Sequence, residues 1–225
     1  MNLSALHRRL LADVIAIGTP YPLVITGGYA VQAHGLVDRL SQDLDVATEN
    51  PAPMAEITAD LVHELAERGW RVAVIAVDPL SARLMVTDPA DGAECEVDVL
   101  KENLWSPPAH TEYGPVLALD DVIGTKVRAL ADRGAVRDLI DVHAAARRRT
   151  TAELEHLGRR HGRDEFRLDD LHDRLAGADW YDDEEFHAYG LDDEAITALR
   201  TWAGHWAADL EQRLAAPADA DDDAF

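Results

Sequence analysis

Leu23-Val24-Ile25-Thr26-Gly27-Gly28-Tyr29-Ala30, followed shortly by Arg39-Leu40-Ser41-Gln42-Asp43-Leu44-Asp45-Val46, is the stretch on which the fold turns. The apolar run Leu23–Thr26 reads as a short buried strand. Gly27-Gly28 then turns the chain into a helix over roughly Tyr29–Gly35. Asp43–Thr48 reads as a second strand. Side chains i and i+2 of a strand share a face, so Asp43 and Asp45 point the same way. Two carboxylates side by side repel each other, and a divalent cation held by their oxygens relieves that repulsion. Asp-x-Asp alone is a weak signal: with 28 Asp in the chain, chance gives roughly three such pairs. The apolar setting singles this pair out, with Leu44 and Val46 facing inward. Gly27-Gly28 is either a tight turn or a place where backbone N–H groups approach a phosphate. Its spacing matches neither Gly-x-Gly-x-x-Gly nor Gly-x-x-x-x-Gly-Lys, so Rossmann and P-loop readings lack support.

On the N-terminal side, Leu3, Leu6, Leu10, Val14 and Ile17 recur at helical spacing, and Pro20 and Pro22 end that helix. On the C-terminal side, Pro53–Arg68 is a helix with Ile57, Leu61 and Leu65 on one face. Three strands follow, Arg71–Val77, Ala82–Thr87 and Glu94–Leu100, the last two joined by the hairpin signal Asp91-Gly92. In the third strand Cys95, Val97 and Val99 take one face and Glu94, Glu96 and Asp98 the other. If it lies beside the Asp43 strand, one of its acids completes a three-carboxylate cluster. Asp98, framed by two valines, is the first choice and Glu96 the second; the alternative is a half-exposed strand with solvated acids.

The second half reads as helical. Asp120 caps a helix to Arg133, Val136–Arg148 is another, and Thr150-Thr151-Ala152-Glu153 resembles a capping box for a third. The helical pattern then runs to about Leu214, and Asp219–Asp223 reads as a disordered tail. The expected organisation is an α/β (α+β) core with a mixed sheet over residues 1–115, a helical C-terminal domain over 116–215 and an acidic tail over 216–225. Lys126 and Arg133, seven apart, share a helical face, and so do Asp138 and Asp141. Lys126 is one of only two lysines against 19 arginines. A cation there suits a triphosphate; a set of exposed salt bridges is the alternative.

The 225 residues carry 43 acids and 21 bases, a net charge of −22, which argues against a polyanionic partner. The distribution changes that reading. Residues 164–225 hold 19 of the acids and 4 bases, whereas Lys126–Arg163 holds 10 bases and 5 acids. The acidity belongs to the tail and a basic zone sits mid-chain. The single Cys95 can make neither an intramolecular disulfide nor a cysteine-built zinc site. No apolar stretch approaches the roughly 20 residues needed to span a bilayer, and no signal-peptide core opens the chain. A cytoplasmic protein with no membrane partner is the expectation. His34 reads as a packing residue, His156 and His161 as surface, and Trp202 and Trp206 as helix core. Arg147-Arg148-Arg149 suits either RNA phosphates or a solvated helix end.

Taken together, Thr26-Gly27-Gly28-Tyr29-Ala30, His34-Gly35, Arg39-Leu40-Ser41 and Asp43-Leu44-Asp45, then Lys126, Arg133, Arg137-Asp138 and Asp141, resemble the AbiEii/AbiGii nucleotidyltransferase toxin family of the polymerase-β-like superfamily. The resemblance covers about residues 23–145. It implies that Asp43 and Asp45 hold Mg²⁺ (Mn²⁺ as the alternative) against an NTP, with a later third carboxylate for which Asp98 is the first choice. Gly27 and Gly28 would cradle the triphosphate, with Arg39 and Ser41 supporting that pocket. Lys126 would contact the triphosphate, and Asp141 would help activate the acceptor hydroxyl. Many members of the wider superfamily have a phosphate-binding Ser where this chain has Gly28. The expected reaction is transfer of NMP to an RNA acceptor such as a tRNA 3′ end, by a toxin with an antitoxin partner. The same fold also supports two rivals. One is transfer to a small cationic acceptor, as in aminoglycoside nucleotidyltransferases, which suits the acidic surface; the other is a non-catalytic nucleotide-binding module.

Overall fold

Seven short strands share one sheet in the computed structural model, which describes residues 1–39, 41–162 and 165–215. They are β1 (Val24–Ile25), β2 (Leu44–Thr48), β3 (Arg71–Asp78), β4 (Ser81–Thr87), β5 (Glu94–Lys101), β6 (Ala109–Thr111) and β7 (Gly114–Val116). The order across the sheet is β3-β4-β5-β2-β1-β7-β6. β2 runs parallel to β5 and β1 parallel to β7, while the other neighbours are antiparallel, so the sheet is mixed as expected. β6 and β7 were not foreseen: three residues each, one of them Pro115, are too few to show alternation.

The burial pattern of β5 alternates as its sequence does. Cys95, Val97 and Val99 are buried, in register with Val86, Leu84 and Ala82 of β4, and Val97 and Val99 are also opposite Leu44 and Val46 of β2. Helices α1 (Ala5–Ile17) and α3 (Met54–Glu67) close that face: Leu10, Leu11, Val14, Ile57, Leu61 and Leu65 belong to the same core cluster. Burying each such side chain is worth about 1.5–3 kcal/mol. α1 is started by Ser4, whose hydroxyl accepts the His7 backbone N–H at 3.1 Å. With one face filled, Asp45, Arg83, Glu96 and Asp98 lie on the other.

The chain divides into two compact units, Met1–Ile123 and Gly124–Phe225, with the division inside α4 (Leu119–Arg133). The second unit continues through α5 (Val136–Ala145), α6 (Thr151–Gly162), α7 (Leu168–Ala176), α8 (Asp183–His187) and α9 (Asp193–Ala215). Thr150 and Glu153 form the capping reciprocity expected before α6, Glu153 Oε2 accepting the Thr150 N–H at 2.7 Å. Leu171, Leu175, Phe186, Ile196, Leu199, Ala203 and Leu210 are buried in this unit, and Trp206 is core as expected. Buried Glu155 accepts the Trp206 indole N–H at 3.1 Å and an Arg213 N–H at 3.0 Å. No helix among the described residues is long and apolar enough to cross a membrane. The expected tail Asp219–Asp223 lies outside the described residues, as do Leu40, Arg163 and Asp164.

Candidate active site

β1 is only two residues long, and the glycine turn at its end is built around Asp45. The Thr26 N–H donates to the Asp45 carbonyl at 2.9 Å, drawing the turn against β2. Gly27, the first residue of α2 (Gly27–Ala33), has φ +58°, and a Cβ there would lie 1.8 Å from Asp45 Oδ2. Glycine is required twice over, by the left-handed backbone and by the carboxylate occupying the side-chain space. At Gly28 a Cβ would lie 2.5 Å from Ser41 Oγ and 3.7 Å from a terminal nitrogen of Arg39. The structure thus gathers Gly27, Gly28, Arg39, Ser41 and Asp45 in one place. Asp43 precedes β2 instead of beginning it, correcting the expected strand start, and both Asp43 and Asp45 are half-buried.

Register places Asp98 of β5 beside Asp45. β2 and β5 are parallel with Asp45 opposite Asp98. Arg83, directly across from Asp98 on β4, forks that carboxylate: Nε donates to Oδ1 at 2.9 Å and a terminal nitrogen to Oδ2 at 2.7 Å. The other terminal nitrogen lies 3.2 Å from Glu96. Arg83 was not singled out from the sequence. Its signal was the alternation of β4, where buried Ala82, Leu84 and Val86 leave Arg83 on the acidic face.

No group of three or more His, Cys, Asp or Glu side chains among the described residues is placed to hold a metal ion. A metal ion on this face would draw on the oxygens of Asp43 and Asp45, with Asp98 beside Asp45 and forked by Arg83. Mg²⁺ is commonly held by one or two carboxylates together with substrate phosphates, and the pair fits that pattern.

Behind Asp43 lie buried groups that sequence reasoning passed over. The ring Nδ1 of buried His7 pairs with the Tyr29 hydroxyl, which also donates to the Ser41 carbonyl at 3.2 Å. Burial, with the Cys95 and Asp43 charges adding to it, pushes the Tyr29 hydroxyl up to about 12. Burial does the same to the Cys95 thiol, again about 12, helped by Asp43. Burial lowers His7, against the opposing pull of Asp43. Near neutral pH these groups form an uncharged wall. Their placement depends on long-range packing, which leaves no local pattern to read. His34 packs as expected, its Nε2 being 2.7 Å from the Leu117 carbonyl oxygen.

The second unit has its own charged cluster. Lys126 Nζ lies 2.9 Å from Asp141 Oδ2 and 3.4 Å from Asp138 Oδ1. Arg133 donates through Nε to Asp138 Oδ2 at 2.7 Å and through a terminal nitrogen to Oδ1 at 3.0 Å. Lys126, Asp138 and Asp141 are 7%, 0% and 1% exposed, so the alternative of exposed salt bridges is corrected. Burial raises the Asp138 carboxyl, but Lys126, the Arg133 hydrogen bonds and charge, and Arg137 outweigh it and hold the group below the usual carboxylate range. The other lysine, Lys101, donates to the Ala52 carbonyl at 2.6 Å and to that of Asn50. His161, expected at the surface, is buried, and its carbonyl accepts an Arg128 N–H at 3.0 Å.

A family model described as the nucleotidyl transferase AbiEii toxin of a type IV toxin–antitoxin system matches residues 9–219. Among solved structures, JHP933 from Helicobacter pylori is similar with a TM-score of 0.56 and 20% identity over 95% of this chain and 97% of that one. MenT4, a nucleotidyltransferase toxin from Mycobacterium tuberculosis, is similar with a TM-score of 0.56 and 19% identity over 92% of this chain and 85% of that one. No curated protein matches by sequence. The two structural likenesses bear on the fold, which is that of the polymerase-β-like nucleotidyltransferases.

Proposed function

The chain belongs to the AbiEii nucleotidyl transferase toxin family, and from that premise we propose that it moves NMP from an NTP onto an RNA hydroxyl. A tRNA 3′ end is the first acceptor to test, and the protein acts in the cytoplasm as the toxin of a toxin–antitoxin pair. The observation that carries the reading is the contact between Gly27 and the Asp45 carboxylate, beside Gly28, Ser41 and Arg39. A glycine turn leaning on an acid of an Asp-x-Asp pair brings backbone N–H groups and carboxylate oxygens to one point. Nucleotidyl transfer needs both, because triphosphate oxygens and their counter-cation must be bound together.

In this reading Asp43 and Asp45 hold Mg²⁺. The chemistry a bound Mg²⁺ would supply there is neutralisation of the charge that builds during phosphoryl transfer. Gly27 lets the Asp45 carboxylate pack against the turn, and Gly27, Gly28, Arg39 and Ser41 bind the triphosphate. Arg83 keeps Asp98 charge-paired, and Asp98 adds a third carboxylate when that fork opens. Lys126 offsets charge building on pyrophosphate. Asp141, expected to help activate the acceptor hydroxyl, is 1% exposed with Lys126 Nζ 2.9 Å away, and so acts through Lys126 by orienting the ammonium. Arg147 and Arg148, exposed just beyond α5, support an RNA acceptor.

The test is incubation with Mg²⁺, or Mn²⁺ in parallel, each α-labelled NTP in turn, and total RNA mixed with aminoglycosides. Label in an RNA band, absent with Asp43→Ala, is the expected result, and growth inhibition on expression disappears in the same variant. Label in a small molecule moves the acceptor to the antibiotic class favoured by the net charge of −22. NTP binding without any product overturns catalysis.

A further inference from the structure

β3 is one of the two edge strands of the sheet, and almost all of it is open to solvent. Val74 is 50% exposed, Ile75 57% and Val77 40%, and Leu80 in the following turn is 52% exposed. An unpaired edge carrying this much apolar surface is a template for another strand, and proteins ordinarily blunt such edges with charge. Here charge is confined to the two ends, Arg71 and Asp78, and neither is ion-paired among the described residues.

The order Arg-Val-Ala-Val-Ile-Ala-Val-Asp over residues 71–78 is nearly its own complement when reversed. Antiparallel pairing of two copies about the Val74/Ile75 midpoint sets Arg71 opposite Asp78, Val72 opposite Val77 and Ala73 opposite Ala76. In a regular strand this would fail, because residues seven apart point to opposite faces. The β-bulge changes that. β3 pairs with β4 as Val74↔Leu84 and then Ala76↔Arg83, so Ile75 is an extra residue and the alternation resets there. Arg71 is opposite Thr87 and Asp78 opposite Ser81, two β4 positions six apart that share a face. The bulge therefore brings Arg71 and Asp78 to one face and Val72 and Val77 to the other, as two-fold pairing requires.

We propose that β3 is a homodimer interface, two copies joining edge to edge by an antiparallel β3–β3 pair. The pairing is isologous, so each Arg71 meets the other copy's Asp78, twice per dimer. Val74 and Ile75 of the two copies meet on the axis, satisfying backbone groups and covering exposed apolar surface together. Within one copy Arg71 and Asp78 are about 23 Å apart along the strand, well beyond a Debye length of about 8 Å, so their charges have no direct dependence on each other in a monomer.

Sedimentation equilibrium of the full chain from about 1 to 100 µM tests this. The expected result is a dimer that Ile75→Lys weakens at least about tenfold, by setting an ammonium group opposite Val74 of the other copy on each side of the axis. Arg71→Asp and Asp78→Arg alone each weaken it about fivefold, and the double swap restores it. Thermal melts of each variant show that the fold is retained. A monomer throughout the range overturns the proposal, including the case in which the edge serves a different protein. So does a dimer indifferent to Ile75→Lys, or a double swap that recovers nothing.

Discussion

Asp45 and Asp138 are the same side chain in opposite settings. Asp45 is half-buried on a sheet face, its carboxylate in the space that a side chain at Gly27 would fill. Asp138 is 0% exposed, with Lys126 at 3.4 Å and an Arg133 fork at 2.7 and 3.0 Å. Burying a carboxylate is tolerable only when cations and hydrogen bonds compensate, and removing one partner strands the rest. Asp138 is therefore committed to holding its own unit together, whereas the sheet acids are only half withdrawn from water. The difference teaches that the depth at which a carboxylate is buried sets how fully its charge must be met from within the fold.

Substitution at each cluster can break that contrast. Asp138→Asn should cost about 1.5–3 kcal/mol of stability by loosening the Arg133 fork and leaving Lys126 with Asp141, measured by urea unfolding. If stability is unchanged while activity falls, the helical cluster is not the structural one. The same group sets a pH dependence. Its folded pKa is depressed, so its stabilisation is present above the unfolded value of about 3.9 and disappears as pH falls through the folded one. Glu155, raised by burial but lowered further by its Arg213 and Trp206 hydrogen bonds, acts in the same direction. Melts from pH 7 to 3 should lose stability below about pH 4, with a shallower slope in Asp138→Asn.

At the sheet cluster the signature reverses. Asp43→Asn should reduce NMP transfer roughly 10²–10³-fold, the equivalent of several kcal/mol of charge stabilisation, with the melting temperature little changed. A large loss of stability would place Asp43 with the helical acids. Gly27→Ala should cost at least about 1–2 kcal/mol from the left-handed backbone and reduce transfer as well, since its methyl meets the Asp45 carboxylate. The smallest effect belongs to Arg83→Ala. Arg83 is 47% exposed, so the fork adds only about 0–1 kcal/mol to stability. Transfer should saturate at a different Mg²⁺ concentration once Asp98 is released, and an unaltered titration would remove Asp98 from the cation site.

Several elements were legible because their signals are local. β5 shows its two faces in Glu94-Cys95-Glu96-Val97-Asp98-Val99, α3 its spine in Ile57, Leu61 and Leu65, and α6 its start in Thr150 and Glu153. β6 and β7 were illegible: Ala109-His110-Thr111 and Gly114-Pro115-Val116 have almost no pattern, and β7 is held by pairing with distant β1. His161 misled because a histidine near a helix end looks solvated until Gly124 of another helix packs against its ring.

Periodicity and residue type by themselves determined the mixed α/β half, the helical half and the identity of the acids on offer. Both depend on neighbours three or four positions away at most, so one chain suffices to read them. Tertiary structure alone decided that Asp98 stands beside Asp45, that Arg83 forks it, that Gly27 leans on a carboxylate and that Lys126 is buried between two acids. Each of these is a matter of strand register or helix packing. A one-residue slip turns every side chain of a strand to the other face, and helix packing sets which charges lose their water.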